Sequence, residues 1–253
     1  MADTCPVCGG TGFRVIERDG ITAAERCQCA LAERSTILME KSQIPLLYQN
    51  ASLDNFSLPQ DNPTANRSLG QVLTTVRTYA REFPGLDKPG LLLIGDPGTG
   101  KTHLAVAALR LLIAKGFEGI FFDYQNLLER IRSGYDPNSG SSDREAYRIA
   151  LDAEVLLLDD LGAHRVTDWV EDTVTSIITY RCNNRKATIA TTNLIDQDAG
   201  MGITERAASA MGVKTTLAER IGMRARSRMY EMCRIIRMPA VEDYRIRRSR
   251  QTF

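Results

Sequence analysis

The sequence predicts an α/β protein: a parallel sheet buried between helices, preceded by a small cysteine-rich module. Three observations carry this expectation. Beyond residue 85, five short apolar runs alternate with helical segments, and strands that are apolar on both faces belong to sheets covered on both sides. The first run leads directly into a glycine-rich phosphate loop and an amphipathic helix. Of six cysteines, Cys5, Cys8, Cys27 and Cys29 fall at the start of the chain, and only Cys182 and Cys233 lie elsewhere.

Composition sets the frame. The 253 residues are 43% hydrophobic and 25% charged, as in an ordinary globular protein. No apolar run approaches the roughly 18 residues of a membrane span, and the first residues lack a secretion-signal layout, so the expected location is cytoplasmic, with no membrane partner. Net charge is +1, which by itself gives no reason to expect a polyanion. In a reducing compartment six cysteines are better read as ligands or spare thiols than as disulfides.

The elements follow in order. Cys5-Pro-Val-Cys8 and Cys27-Gln-Cys29 supply four soft ligands for a tetrahedral zinc, and Gly9, Gly10 and Gly12 permit the tight turn of a knuckle. Four cysteines leave no open position, so the expected zinc is structural, stapling a segment too short to bury its own core. Residues 30–44 read as a charged helix ended by Pro45, and residues 46–66 as a docked linker anchored by Leu53 and Phe56. This divides the chain into a partner-binding zinc domain (1–45), a linker (46–66) and a nucleotide-binding domain (67–253). Helical spacing of Leu69, Val72, Leu73, Val76, Tyr79 and Ala80 predicts a helix over 65–83. Strands are expected at 91–95, 119–124, 154–160, 187–193 and 233–238, and residues 133–143 read as a mobile loop.

The first strand runs into Gly95-Asp96-Pro97-Gly98-Thr99-Gly100-Lys101-Thr102, a Walker A sequence, with His103 next in the helix. Its glycines let backbone N–H groups wrap phosphates at a helix N-terminus, Lys101 reaches the β and γ phosphates, and the Thr102 hydroxyl binds Mg²⁺. The third strand delivers Asp159 and Asp160 to the C-terminal sheet edge, where ligands bind in open α/β folds. Asp159 suits holding Mg²⁺ through water, and Asp160 suits orienting or deprotonating the attacking water. The fourth strand ends in Thr191-Thr192-Asn193, from which Asn193 could meet the γ-phosphate or the lytic water.

Residues 217–250 hold Arg220, Arg224, Arg226, Arg228, Arg234, Arg237, Arg245, Arg247, Arg248 and Arg250 and no lysine. Arginine suits bidentate phosphate contacts and can serve as a finger offered to a neighbouring subunit's nucleotide. Acidic partners are sparse nearby in the sequence, so much of this charge is expected to be free for a ligand. Arg132 and Tyr135 could add contacts to nucleic acid.

From about residue 44 to residue 245 the chain resembles the DnaC/DnaI/IstB family of AAA+ ATPases. IPLLYQNASLDNF, GDPGTGKTHLA, VLLLDDLGA, IATTN, GMRARSRM and EDYR carry the resemblance. It implies an AAA+ P-loop core with a central five-stranded parallel sheet flanked by helices, ATP and ADP as ligands, and a helicase loader. Such a loader binds a replicative ring helicase through its N-terminal domain and places it on single-stranded DNA. A zinc-bearing N-terminal domain resembles the DnaI branch. The resemblance puts an arginine finger for self-association on Arg224, with Arg228 beside it, and makes Arg245 the candidate sensor II. The choice among Arg220, Arg224 and Arg228 stays open, because residues 194–218 form a long stretch between Asn193 and the finger. Asp160 stands where many AAA+ enzymes have Glu. The alternatives are an IstB-like transposition helper that remodels target DNA for a transposase, and a zinc-dependent binding module with a regulatory nucleotide switch.

Overall fold

The computed structural model describes residues 5–18, 20–134, 141–196 and 215–251. Tyr135, most of the stretch read as a mobile loop, and residues 197–214 of the long segment after Asn193 lie outside the described residues.

The cysteine module is a hairpin and a helix. Strands β1 (Phe13–Arg18) and β2 (Ile21–Arg26) pair antiparallel, and α1 (Gln28–Lys41) follows at once. The Cys5–Thr11 turn closes through Gly9 N–H to Cys5 O at 2.8 Å, with Gly9, Gly10 and Gly12 all at positive φ as the knuckle requires. The helix differs from expectation in its register. It starts at Gln28 and stops at Lys41, ended by Ser42 and a left-handed Gln43 (φ 57°) before Pro45 is reached. Its far end is tied to the core: the Arg34 guanidinium donates to Gly116 O at 3.1 Å, and Ser42 O accepts from Phe121 N–H at 2.7 Å.

After a single turn at Leu46–Tyr48, Ala51 and Leu53 bury in the core, and α2 (Pro63–Glu82) begins. Proline at its first position and an Asn62 side chain that accepts from Ala65 N–H at 3.0 Å set that start. The sheet then forms from β3 (Gly90–Ile94), β4 (Gly119–Asp123), β5 (Val155–Asp159), β6 (Ala187–Thr192) and β7 (Cys233–Arg237), all parallel, in the order β4-β5-β6-β3-β7. Between them run α3 (Lys101–Ala114), α4 (Tyr124–Ser133), α5 (Ser141–Asp152), α6 (Asp168–Asn183), α7 (Leu217–Ile221) and α8 (Met223–Met232), and α9 (Tyr244–Gln251) closes the described chain. Residues 141–143 are therefore helical, a correction to the loop reading, because α5 extends back over them.

Alternation along each strand divides the core. Leu91 and Leu93 of β3, with Val155 and Leu157 of β5, face α2 and α3, whereas Leu92, Ile94, Leu156 and Leu158 face the α4–α8 side. Each buried leucine contributes roughly 1.5–3 kcal/mol, enough for these five runs to dictate a covered sheet. The strand order sends the chain from central β3 to the far edge at β4 and back, which opens the crevice at the C-terminal ends of β3, β5 and β6. No helix among the described residues is long and apolar enough to cross a membrane.

Candidate nucleotide and metal sites

The phosphate loop takes the shape that its glycines allow. Gly98 (φ 75°) and Gly100 (φ 92°) adopt the left-handed region, and Gly100 opens α3, leaving N–H groups at the helix start directed at the loop. Lys101 is 5% exposed, and its ammonium donates to Asp96 O at 2.8 Å. Burial lowers its pKa, while Asp160, Asp159 and Asp96 oppose the shift and Arg245 adds to it, which places Arg245 within electrostatic reach of the loop.

Asp159, Asp160, Thr191 and Asn193 form one connected group. Asp159 Oδ1 accepts from the Thr102 hydroxyl at 2.9 Å and the Thr191 hydroxyl at 2.7 Å. Burial raises its pKa, and those two hydrogen bonds pull it back down. Asp160 sits at φ 55°, its N–H donating to Thr191 Oγ1 at 3.0 Å and its carboxylate accepting from Asn193 Nδ2 at 2.8 Å. Thr191 therefore braces both aspartates, a role that the sequence reading assigned to no residue; its signal was a second polar side chain two places before Asn193. The donor set fits Mg²⁺: hard oxygens from Thr102 and Asp159 lie 2.9 Å apart, close to the about 3.0 Å between adjacent ligands of an octahedral ion.

The two outlying motifs meet at the same loop. The Phe56 ring from ASLDNF lies against Gly100, where any Cβ would collide with it, and tilts toward the His103 ring at 5.5 Å. His103 Nε2 is 2.8 Å from Ser52 O, pinning this linker to α3. From EDYR, Tyr244 N–H donates to Gly98 O at 3.0 Å and the Asp243 carboxylate fills the space beside Gly98. A small cleft lies between the two segments beside the phosphate loop, lined by Phe56, Gly98, Gly100, His103, Val241 and Tyr244. Phe56 and Asp243 were missed as site residues because only tertiary structure brings them to the loop.

The arginine-rich stretch departs from expectation. Acidic partners are not sparse in space: Arg226 pairs with Asp196, Arg228 with Glu231 and Arg250 with Glu242, each at 2.6 Å. Arg228 carries this pair on an exposed helix face, and Glu231 raises its pKa. Arg220 folds inward, donating to His164 O at 3.3 Å with Nε buried and without a hydrogen-bond partner among the described residues. Arg224 is exposed and engages no ion pair or hydrogen bond among the described residues. Arg132 is exposed in the last turn of α4.

The four early cysteines converge, with all their sulfurs within 4.8 Å of one another. Cys5 to Cys27 is 3.9 Å and Cys8 to Cys29 is 3.4 Å, against the about 3.8 Å edge of a tetrahedron with 2.3 Å zinc–sulfur bonds. The Cys-Gln-Cys spacing works because Cys27 caps α1 and Cys29 lies in its first turn. The Cys8 thiol is lowered to about 6, first by the Gly12 backbone and then by Cys29. Cys29 is raised to about 12, first by Cys8. The cluster thus already favours a thiolate, the form that binds metal.

Similarity to known proteins agrees with this geometry. A family profile described as "IstB-like ATP binding protein" matches residues 86–211. A crystal structure of the DnaC helicase loader is 35% identical, covers 77% of this chain and 100% of its own, and superposes with a TM-score of 0.61. The chain belongs to the DnaC/IstB family. Its AAA+ P-loop fold is shared with a DnaI crystal structure (21% identical, TM-score 0.55, 80% of this chain and 94% of that one). Among curated relatives, the replicative helicase loader DnaC of Escherichia coli (strain K12) is 25% identical over 68% of this chain and 66% of its own length. YqaM of Bacillus subtilis (strain 168) is 26% identical over 72% of this chain and 59% of its own. The family match thus spans three fifths to two thirds of these curated relatives.

Proposed function

We propose that this DnaC/IstB-family protein is an ATP-dependent helicase loader, in which residues 1–45 dock a replicative ring helicase and residues 67–253 bind ATP, self-associate and grip single-stranded DNA. The connected Thr102–Asp159–Thr191–Asp160–Asn193 group at the C-terminal sheet edge carries the ATPase part of the reading. Lys101 and the loop N–H groups would hold the β and γ phosphates. Thr102 and Asp159 would hold Mg²⁺, which supplies charge neutralisation across those phosphates. Asp160 would orient and deprotonate the attacking water, its carboxylate steered by Asn193. Arg245, within electrostatic reach of Lys101, suits a sensor of bound phosphate. Arg224 would reach a neighbouring protomer's γ-phosphate, being the exposed and unengaged arginine among Arg220, Arg224 and Arg228. The exposed Arg234, Arg237 and Arg248, with Arg132, would supply salt-sensitive backbone contacts to DNA.

The loader part rests on the likeness to DnaC and on the zinc-ligand cluster, whose hairpin stands apart from the ATPase sheet. Co-purification of the full-length protein with a hexameric replicative helicase, and loss of that binding in Cys8→Ser with ATP turnover kept, is the expected result. The IstB description favours a second reading, a transposition helper; capture of a transposase instead of the helicase would establish it. Partner binding that responds to added nucleotide and loses that response in Lys101→Ala, with no hydrolysis in the unaltered protein, would mark a nucleotide switch.

A further inference from the structure

Arg226 stands between Arg224 and Arg228 on α8 but faces the other way. Residues two apart on an α-helix point about 200° apart, so the face that buries Arg226 with Ala225 and Met229 sends Arg224 to solvent. The buried head is held as a fork. Nε donates to both Asp196 carboxylate oxygens at 3.0 Å, and the terminal nitrogen donates to Oδ1 at 2.6 Å. The guanidinium lies over the Tyr230 ring, 4.7 Å from its centre. The two charged side chains are 11% and 3% exposed.

Stability is a poor reason for such a pair, since apolar residues of similar volume are often as stable or more so. A planar fork does what apolar packing cannot: it fixes rotation and register of one element against another. The other element here is the strand end that carries the γ-phosphate residues. Asp196 follows Asn193 by three positions, and Asn193 holds Asp160. The path between is fastened by the Ile195–Thr216 bridge and by Leu217 N–H to Ile195 O at 3.0 Å, where α7 begins. Gly222, at φ 82° and hard against Glu171, then turns the chain from α7 into α8.

We infer that Arg226 and Asp196 are a positioning pair that locks α8 to the end of β6, so that Arg224 is aimed at the nucleotide of the neighbouring protomer. The pair thereby ties the state of a protomer's own Asn193–Asp160 contact to the finger that it offers next door. This rests on the proposed role of Arg224 in trans.

The test uses full-length proteins and ATP turnover. Arg226→Met with Asp196→Leu replaces the pair without leaving a buried unpaired charge. It is expected to keep the melting temperature and KM for ATP while kcat falls by up to about 100-fold, the effect of a misplaced reactive group. Adding excess Asp160→Asn protein, whose own site is inactive but whose side-chain amide oxygen still accepts from Asn193 and so keeps the finger aimed, should restore the rate, because the double variant's own nucleotide site is intact. A merely structural defect would not be repaired by a partner. Arg224→Ala, alone and with the same Asp160→Asn protein, is the reference. If Arg224→Ala turns over ATP normally, the finger reading itself fails. If Arg224→Ala is slow and rescued while the double variant is either as fast as the unaltered protein or slow and unrescued, the positioning role is overturned. Should the double variant not fold, Arg226→Lys, which keeps the charge and loses the fork, is read by the same rescue.

Discussion

Replacing Thr191 with valine isolates the brace between the two Walker B aspartates. Valine keeps the shape and removes one hydroxyl, which is fully buried, donates to Asp159 at 2.7 Å and accepts from Asp160 N–H at 3.0 Å. Losing a hydrogen bond to a carboxylate costs about 1.5–3 kcal/mol, and a buried N–H left without a partner costs about 1–3 kcal/mol. Because one hydroxyl serves both, and Thr102 still donates to Asp159, the expected loss is about 2–4 kcal/mol. Its pH dependence has a definite sign. Burial holds the folded-state pKa of Asp159 above its ordinary 3.8, so ionising it costs stability: the penalty is absent below 3.8 and complete above the raised value. The Thr191 hydrogen bond lowers that pKa and so limits the penalty. Thr191→Val should therefore lose more stability at about pH 8 than at about pH 4, with the extra loss accruing as pH rises from the folded-state pKa of Asp159 in the unaltered protein to the still higher one in the variant. Urea denaturation of both proteins at each pH is the assay. A difference under about 0.5 kcal/mol, typical of an uninvolved surface position, or a larger loss at the acid end, would refute the reasoning.

Other consequences can be checked directly. Zinc analysis of protein purified without chelator should give about one ion per chain, falling well below that in Cys8→Ser after dialysis against a chelator, since losing one of four thiolates weakens the hold on the ion. Gly98→Ala should abolish nucleotide binding and lower the melting temperature, because the added methyl meets the Asp243 carboxylate and φ 75° is strained for alanine; unaltered binding by fluorescent-nucleotide titration would count against the loop geometry. Arg181→Met should cost at least about 1–3 kcal/mol in urea, the cost of a buried acceptor left without its donor. Its fully buried guanidinium donates to Thr188 Oγ1 and to the Ala150, Leu151, Ala153 and Ala187 carbonyls, which methionine would leave without their donor.

The five core strands were legible in the sequence to within a residue or so, because each is a continuous apolar run whose burial outweighs any local ambiguity, as at 155–158. Walker A was legible because its backbone demands glycine at 98 and 100. The β1–β2 hairpin was not: Phe13 and Val15 are exposed, and the pairing of RVIER with TAAER leaves no buried face whose period could be seen. Side-chain pairings across long separations were equally hidden. Arg226 and Asp196 lie 30 residues apart, and nothing in a string of arginines marks the one that turns inward. The EDYR and ASLDNF segments were visible as motifs, but their meeting over Gly98 and Gly100 depends on the chain crossing the sheet edge. Asn193 was a candidate by position and Thr191 was not; that Thr191 braces Asp159 while Asn193 steers Asp160 depends on their shared strand face and on the left-handed turn at Asp160, which a string of residues does not show.

The central claim is that ATP is hydrolysed at a site built by one protomer and completed by the next. Steady-state ATP turnover per protomer, measured over a range of protein concentrations, tests it most directly. The account requires the rate to climb with concentration, to fall by about 1,000-fold or more in Arg224→Ala and to vanish in Lys101→Ala. A rate per protomer that is independent of concentration and unchanged by Arg224→Ala would contradict it.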